Sequence, residues 1–349
     1  MRRPRLDGVS PYPKDVLIRR SHPISRLMAL LLKEAMSKQI AIVGAGVSGL
    51  TCGVLFAERG YRTTIFAAET GDQTTSAVAA AIWFPYDAAP LDAVIAWALE
   101  TYEVLQPLGA DPASGVSMIE QRAFTRAGEL AIPEWAVSLG ARRLPAADVP
   151  RAFSSGYTLA VPLTDTTQYL PYLTKRFRNA GGEIYGGIHL ENLEEAALDC
   201  GLVVNCSGVG ARTLLPDREV EPHRGQVVLV PGIPHSHATV CDDPPLMYAI
   251  PRADDCVFGG SNDPSADRNP DPALSARIVA ECSRALEIEP PSVLRERVGL
   301  RPFRRSGICL RADRLRDGRR VIHNYGHGGS GFTLSWGCAG AVLALADSA

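Results

Sequence analysis

The pattern of apolar and polar residues predicts a strand-helix-strand unit beginning near residue 39. QIAIV at 39–43 has the length of a short buried strand, and LTCGVLFAERG at 50–60 is typical of a helix that ends at Gly60. RTTIF at 62–66 then predicts a second strand. Strands joined by a helix in this way usually lie parallel in one sheet.

Further apolar runs predict strands elsewhere in the chain. The segment 201–210 predicts a strand that returns to the first unit and ends in a glycine turn. Runs near 226–230, 246–250 and 256–260 predict an antiparallel sheet. Residues 321–337 predict a strand, a glycine-dense loop and the start of a helix.

Three glycines occupy the turn between the first strand and the first helix, in the sequence Gly44-Ala-Gly-Val-Ser-Gly49. In this context the spacing indicates a dinucleotide site, in which Gly44 makes the tight turn and Gly46 lets the backbone approach a pyrophosphate. Gly49 lets the helix lie close to the sheet, and the helix N-terminus offers N–H groups to phosphate. A tight turn without a ligand is the alternative.

The acidic residue that binds the adenosine ribose usually ends the second strand of such a unit. Here two alanines come first, and Glu69 follows slightly late. We expect Glu69 to bind the ribose. The glycine pattern by itself does not distinguish FAD from NAD.

Composition excludes several other functions. The hydrophobic share of 46%, the charged share of 21% and the net charge of −2 are those of a globular protein without a basic surplus for nucleic acid. The eight cysteines form no C-x-x-C pair, so we expect buried thiols in a reducing cytosol and a cytoplasmic protein. His235 and His237 lack a third metal ligand at a recognisable spacing, which favours a solvated loop over a metal site.

The first 36 residues differ from the rest, with several arginines and prolines and a short apolar run at 27–32. That run is too short to span a bilayer, and no small-residue cleavage site follows it. We expect either that Met36 is the natural start or that residues 1–36 form a disordered appendage. An exported or membrane-bound protein is the weaker alternative.

Two distant segments favour flavin over nicotinamide. Residues 74–86, TTSAVAAAIWFPY, contain a run of small residues that lets backbone lie against a large flat group. An Ala-rich helix start is the alternative, but it does not need the WFPY ending. The glycine-dense loop within 321–337 supplies N–H donors for the electron-rich edge of an isoalloxazine, and a helix N-terminus near Phe332 and Thr333 would stabilise charge on the reduced ring.

These segments resemble the D-amino-acid oxidase family, which includes D-aspartate oxidase and is related more distantly to glycine oxidase. The resemblance runs from Gln39 to the C-terminus. It rests on seven ordered blocks in addition to VIHNYGHGGSGFTLSWGCA: GAGVSGL, TTSAVAAAIWFPY, VVNCSGVGA, RGQ, MYAIP, FGG and GLRPFR.

The resemblance implies FAD as the cofactor and an α/β fold. In that fold, a Rossmann-type FAD-binding domain is interleaved with a smaller α+β substrate domain that has an antiparallel sheet. We expect the FAD-binding domain at 37–86, 158–212 and 298–349, and the substrate domain at 87–157 and 213–297. The expected cofactor-binding residues are Gly44, Ala45, Gly46, Val47, Ser48, Gly49, Glu69, Thr74, Thr75, Ser76, Ala80, Ala81, Ile82, Ile188, Ser207, Gly208, Gly328, Gly329, Gly331, Phe332 and Thr333.

A guanidinium binds a carboxylate through two parallel hydrogen bonds, so Arg301 in GLRPFR is the candidate for the substrate carboxylate. A surface arginine in a charged cluster is the alternative, which the family context disfavours. The resemblance gives Tyr248 a share of the same carboxylate, the Gly329 carbonyl the substrate amine, and Ser330 a place in the pocket wall.

No acid or base catalyst is expected if a hydride leaves Cα of the neutral amino acid directly for flavin N5. His323 and His327 in the flavin loop are therefore expected to pack or orient the loop.

Departures from the family bear on specificity. Phe84 replaces a glutamine of mammalian relatives, and HSHATVCDDPPLM at 235–247 is shorter than the mammalian active-site lid. The arginine expected of D-aspartate oxidases just after FGG is absent, because Ser261 and Asn262 follow instead. Neutral or hydrophobic D-amino acids are therefore favoured over acidic ones.

The leading hypothesis is an oxidase whose partners are a D-amino acid and molecular oxygen, and whose products are a 2-oxo acid, ammonia and hydrogen peroxide. One alternative is a flavin dehydrogenase that passes electrons to a quinone or carrier. Another is a non-catalytic flavin-binding protein, which would not need Arg301 and Tyr248, and a nicotinamide dehydrogenase is remote. A homo-oligomer is compatible with the sequence.

Overall fold

The computed structural model describes residues 39–85, 88–196 and 199–348. The expectation for residues 1–36 lies outside this range, as does Tyr86 at the end of the small-residue segment. Fifteen strands occur in the described residues: β1 (Gln39–Val43), β2 (Arg62–Ala67), β3 (Val116–Thr125), β4 (Arg142–Arg143), β5 (Ser155–Thr164), β6 (Glu183–Gly186), β7 (Leu202–Asn205), β8 (Val220–Pro231), β9 (His237–Cys241), β10 (Met247–Pro251), β11 (Asp255–Gly259), β12 (Asp263–Pro264), β13 (Arg295–Arg304), β14 (Cys309–Arg314) and β15 (Arg320–Tyr325).

Eight α-helices accompany these strands in the same described residues. They are α1 (Val47–Glu58), α2 (Thr75–Val78), α3 (Leu91–Leu108), α4 (Glu134–Ser138), α5 (Thr166–Asn179), α6 (Ala211–Leu214), α7 (Pro272–Leu286) and α8 (Ser335–Asp347). The strands form two sheets, so the fold is α/β with a second, largely antiparallel sheet.

The first sheet has six strands in the order β14-β15-β7-β1-β2-β6. β1 lies parallel to β2 and to β7, which pairs Val43 with Phe66 on one side and with Asn205 on the other. The predicted strand-helix-strand unit and its returning strand are therefore confirmed. Their carboxyl ends meet at one edge, where the Gly44–Gly49 turn leads into α1.

The core of this half lies between the sheet and helices α1, α5 and α8. Thr51 of α1 donates a hydrogen bond to the Ser335 carbonyl oxygen at 3.2 Å, and Trp336 of α8 donates one to the Tyr169 hydroxyl at 2.7 Å. All four residues are buried. These contacts hold the C-terminal helix α8 against helices α1 and α5.

The second sheet has nine strands in the order β12-β8-β11-β10-β9-β3-β5-β4, with β13 paired along β8. β8, β11 and β10 pair antiparallel, which confirms the sheet predicted near 226–260. β3 and β9 pair in parallel, which the sequence did not predict. Helix α7 packs on this sheet through Leu274, Ile278 and Cys282.

The predicted boundaries at 157/158 and 297/298 fall inside β5 and β13, and both strands lie in the nine-stranded sheet. A Rossmann-type unit and a second sheet are thus present and interleaved along the chain. The division into two domains at those residues stays a prediction.

Two local expectations were wrong. The last helix begins at Ser335 rather than near Phe332 and Thr333, because residues 331–334 form turns before it. His237 lies on β9 rather than in a solvated loop. Burial, Arg122 and His235 lower the pKa of the His237 imidazole to about 4.

Candidate FAD and substrate site

A cavity of ≈ 540 Å³ extends from the carboxyl ends of β1, β2 and β7 to the face of the nine-stranded sheet. One end of the cavity, here called the nucleotide-type end, is formed by the Gly44–Ser48 turn and Glu69. The other end includes Tyr248 and Arg301. The volume is in the range of about 300–1,000 Å³ found for ligand cavities.

The glycine turn is folded tightly against its neighbours. Gly44 has φ of 109° and donates a hydrogen bond to the Phe66 carbonyl at 2.8 Å. A Cβ on Gly44 would overlap the carbonyl of Cys206, and one on Gly49 would overlap the carbonyl of Gly44. Larger residues at these positions would therefore push the turn away from the sheet.

The segment that begins at Thr74 closes over this turn. The Ser76 hydroxyl accepts a hydrogen bond from the Val47 N–H at 3.0 Å, and Thr74 caps α2 by accepting one from Ala77 at 3.3 Å. Arg297 donates to the carbonyl oxygens of Ala77 at 2.7 Å and Asp72 at 3.0 Å. The short helix is thereby fixed at the cavity wall, and Ala79 directly after it is extended.

The small-residue segment and the last glycine loop are joined directly. The Thr333 hydroxyl accepts a hydrogen bond from the Phe84 N–H at 3.1 Å and donates one to the Phe84 carbonyl at 3.0 Å. Thr164 donates to the carbonyl of Ala81, which has φ of 57°. Both segments thus line one cavity, as predicted.

At the nucleotide-type end, Glu69 follows β2 by two residues and forms an ion pair with Arg268. Both residues line the cavity. The sequence did not indicate Arg268, which lies 199 residues later.

At the opposite end, Arg301 extends from β13 across Gly225 of β8. Its guanidinium donates to the Ser261 carbonyl at 2.6 Å and more weakly to the Asn262 side chain at 3.4 Å. Within the described residues, no carboxylate lies within ion-pair distance of Arg301. The cavity therefore has a cation available for a ligand carboxylate.

The Tyr248 ring packs against the bare α-carbons of Gly259 and Gly260. Burial raises the pKa of its phenol and Arg301 lowers it, with a net increase above the usual 10. Tyr248 therefore stays protonated at neutral pH and can donate a hydrogen bond in the cavity.

Of the two histidines expected in the glycine-dense loop, His327 lies in it, whereas His323 lies on strand β15 just before it. His323 contacts the Asn205 amide at 3.3 Å and His327 contacts the Asn324 amide oxygen at 3.0 Å. Burial lowers the pKa of each imidazole to about 4, with Arg311 contributing at His323. Neutral, hydrogen-bonded rings fit the expected packing role better than proton transfer near neutral pH.

All of the predicted site residues except Gly49 and Ser330 line the cavity. Gly49 packs against the Gly44 carbonyl, where it brings the helix close to the turn. Ser330, which belongs to the same glycine-dense loop as Gly329, is fully buried. It therefore does not form part of the pocket wall.

Sequence reasoning missed other cavity residues, including Val227 and Val240 from the nine-stranded sheet, Asp242 and Leu246 from the β9–β10 connection, and Arg268. Within the predicted 235–247 segment, 237–241 form strand β9 and 242–246 connect it to β10. Asp243 accepts hydrogen bonds from the Thr125 hydroxyl at 2.5 Å and the Arg126 N–H at 2.7 Å. The connection is therefore held on the sheet.

The family of FAD dependent oxidoreductases designated DAO matches residues 39–345. The chain belongs to this family. It is 42% identical over 315 residues to the D-amino-acid oxidase of Rubrobacter xylanophilus, across 88% of this chain and 95% of that protein. It is 39% identical to the D-amino-acid oxidase of Streptomyces coelicolor, across 90% and 99% of the two chains.

A solved glycine oxidase from Geobacillus kaustophilus has a similar fold, with a TM-score of 0.75 and 17% identity. The superposed region covers 88% of this chain and 94% of that one. Membership of the DAO family makes this protein an FAD-dependent oxidoreductase with FAD as its cofactor.

The cavity residues fit FAD. The glycine turn and the N-terminus of α1 present backbone N–H groups where a diphosphate is bound in this type of unit. The Ser207 hydroxyl, which also lines the cavity, is buried without a hydrogen-bond partner in the described residues. A buried polar group of this kind is expected to bond to a ligand.

The described residues contain no cluster of three or more side chains suited to a metal ion. The eight cysteines are all buried and unpaired by disulfides, as predicted for buried thiols. None of the described helices is both long and apolar enough to span a membrane.

Proposed function

We propose that this protein oxidises neutral or hydrophobic D-amino acids to 2-oxo acids, ammonia and hydrogen peroxide. The observation that carries this proposal is Arg301, a cavity-lining guanidinium with no carboxylate partner in the described residues. The relatives named D-amino-acid oxidase supply the D configuration and the oxidase class.

Arg301 binds the substrate carboxylate through two charge-assisted hydrogen bonds, and the Tyr248 hydroxyl donates a third. The Gly329 carbonyl accepts a hydrogen bond from the substrate amine. FAD bound in this cavity would supply the two-electron acceptor for the hydride that leaves Cα, with oxygen as the final acceptor. The chain contributes orientation and exclusion of water, since these contacts fix the direction in which Cα–H points.

The side chain of the substrate lies among apolar residues. Phe84, Val227, Val240 and Leu246 line the same cavity as Tyr248, and Val240 pairs with Tyr248 in the sheet. Acidic substrates would need a second cation, and Ser261 and Asn262 follow the FGG block in place of an arginine. These features support neutral or hydrophobic side chains over carboxylates.

Glu69 holds the adenosine part of FAD, and residues 44–48 hold the diphosphate. Residues 80–82, 328, 329 and 331–333 hold the flavin, and Ser207 and Gly208 also bind the cofactor. We expect substitutions at the first set to weaken FAD binding and substitutions at Arg301 or Tyr248 to weaken substrate binding.

The test is product analysis with a panel of neutral, hydrophobic and acidic D-amino acids and their L enantiomers. We expect equimolar consumption of oxygen and formation of peroxide, ammonia and 2-oxo acid from the neutral and hydrophobic D forms. Reduction of an artificial quinone without peroxide would instead identify a dehydrogenase. Preference for D-aspartate or D-glutamate would contradict the proposed substrate class.

A further inference from the structure

Arg268 lies at the end of the cavity next to Glu69 but comes from the part of the chain that forms the second sheet. We propose that Arg268 is a cofactor-binding residue that holds the adenosine end of FAD. In a strand-helix-strand unit the ribose lies near the end of the second strand, which here is Ala67. The Glu69–Arg268 ion pair is therefore at the adenosine end of the cavity.

The backbone on both sides of Arg268 is held by a side chain of strand β8. Arg224, which is buried, donates to the carbonyl oxygens of Asp267 at 3.2 Å and Asn269 at 2.6 Å. The Asp267 carboxylate accepts a hydrogen bond from the Asn269 N–H at 2.9 Å. Arg268 thus projects from a short loop whose two flanking residues are both anchored.

Gln226 fixes the next part of the same loop. Its side chain donates to the Asp271 carbonyl at 2.8 Å and accepts from the Asp271 N–H at 2.9 Å. Arg224 and Gln226 lie on one face of β8, because alternate residues of a strand share a face. Gly225, between them, faces Arg301.

The RGQ block therefore positions two arginines at opposite ends of the cavity. Its two polar side chains hold the Arg268 loop at the adenosine end. Its glycine leaves room for the Arg301 guanidinium at the substrate end. Arg224 and Gln226 thereby have a role that the proposed amino acid oxidation does not give them.

The charge at this end explains why an arginine is needed. Glu69 alone would place a carboxylate close to the negatively charged diphosphate of FAD, and like charges repel. Arg268 offsets that charge, and a planar guanidinium can also stack on an aromatic face such as adenine. Both contributions favour FAD over a flavin that lacks adenosine.

The experiment is a titration of apoprotein with FAD and, separately, with FMN, followed by quenching of flavin fluorescence. Arg268→Ala is compared with Arg268→Lys and with Arg277→Ala, a control at an exposed arginine on α7 that does not line the cavity. We expect Arg268→Ala to raise the Kd for FAD about 10-fold, which corresponds to about 1.4 kcal/mol. Arg268→Lys should raise it less, because it keeps the charge and loses the plane.

FMN tests whether Arg268 acts at the adenosine end of the cofactor, since FMN lacks the adenosine that Arg268 is proposed to hold. Its Kd should change by less than about twofold in Arg268→Ala. An unchanged Kd for FAD, an equal increase for FMN, or an equal effect of Arg277→Ala would each overturn the proposal. The titration contains no substrate, so a failure of the proposed amino acid oxidation would leave its result intact.

Discussion

Arg301 combines a position in the cavity wall with the absence of a carboxylate partner in the described residues. It lines an apolar cavity, and its hydrogen bonds go to the Ser261 carbonyl and the Asn262 side chain rather than to a carboxylate. A cation placed this way is favourable when a ligand supplies the missing anion. A structural ion-pair role would have required a carboxylate nearby, and the described residues provide none within 4 Å.

Replacement of Arg301 by Ala should lower kcat/KM for D-amino acids about 100- to 1,000-fold, because two charge-assisted hydrogen bonds are lost. The visible spectrum of bound flavin should be unchanged. Arg295→Ala, on the exposed start of the same strand, is the matched control. Near-normal kcat/KM in Arg301→Ala would show that the carboxylate binds elsewhere.

The buried His323 should make the stability of the protein depend on pH. Burial and Arg311 hold its folded pKa at about 4, whereas an unfolded histidine titrates near its usual 6.5. Below pH 6.5 the unfolded chain binds a proton at this histidine, whereas the folded chain does not. The stability that is present above pH 6.5 is therefore lost as the pH falls towards 4. His323→Gln should reduce this loss by about 3 kcal/mol between pH 7 and pH 4.

The measurement is chemical denaturation of wild type and His323→Gln at pH values from 4 to 7. The exposed His189→Gln controls for removal of a histidine. Equal slopes of unfolding free energy against pH in wild type and His323→Gln would show that His323 is protonated in the folded protein.

At the scale of elements, β8 connects the two ends of the site. Along one strand, Arg224 and Gln226 anchor the loop that carries Arg268, and Gly225 clears the path of Arg301 from the neighbouring β13. An added methyl group at Gly225 would meet the mobile end of an arginine side chain rather than backbone. The strand can therefore keep its pairing while the guanidinium moves.

We accordingly expect Gly225→Ala to fold and bind FAD but to raise KM for D-amino acids at least about 10-fold, since a small misplacement of a substrate-binding group is costly. Gly232→Ala, just after the same strand, is the control because nothing lies within 4 Å of the added Cβ. Steady-state kinetics and the thermal melting temperature separate the two effects. An unchanged KM in Gly225→Ala would mean that Arg301 does not determine it.

Other elements show the limit of sequence reasoning. The unit from Gln39 to Ala67 was predictable because its strands, turn and helix are adjacent in sequence. The β3–β9 pairing was not, because it joins residues more than 100 positions apart and no local pattern specifies it. Ser330 was misplaced because the direction of a side chain in a glycine-rich loop depends on tertiary packing.

At the scale of the whole molecule, the cavity lies where the two sheets meet. The six-stranded sheet supplies the glycine turn and the flavin-type loop, whereas the nine-stranded sheet supplies Tyr248 and Arg301. Most of the predicted site residues converge there, because family blocks mark positions that tertiary structure brings together. Arg268 could not be found this way, since its position depends on side chains of β8 beneath its loop.

The most direct test of the central claim is anaerobic mixing of the purified yellow protein with D-alanine or L-alanine, followed by admission of air. The flavin band in the visible spectrum reports the redox state. We predict bleaching with D-alanine only, and rapid recovery of the band with formation of peroxide when air enters. Bleaching with L-alanine, or none with D-alanine and a wider panel of neutral D-amino acids, would contradict the account.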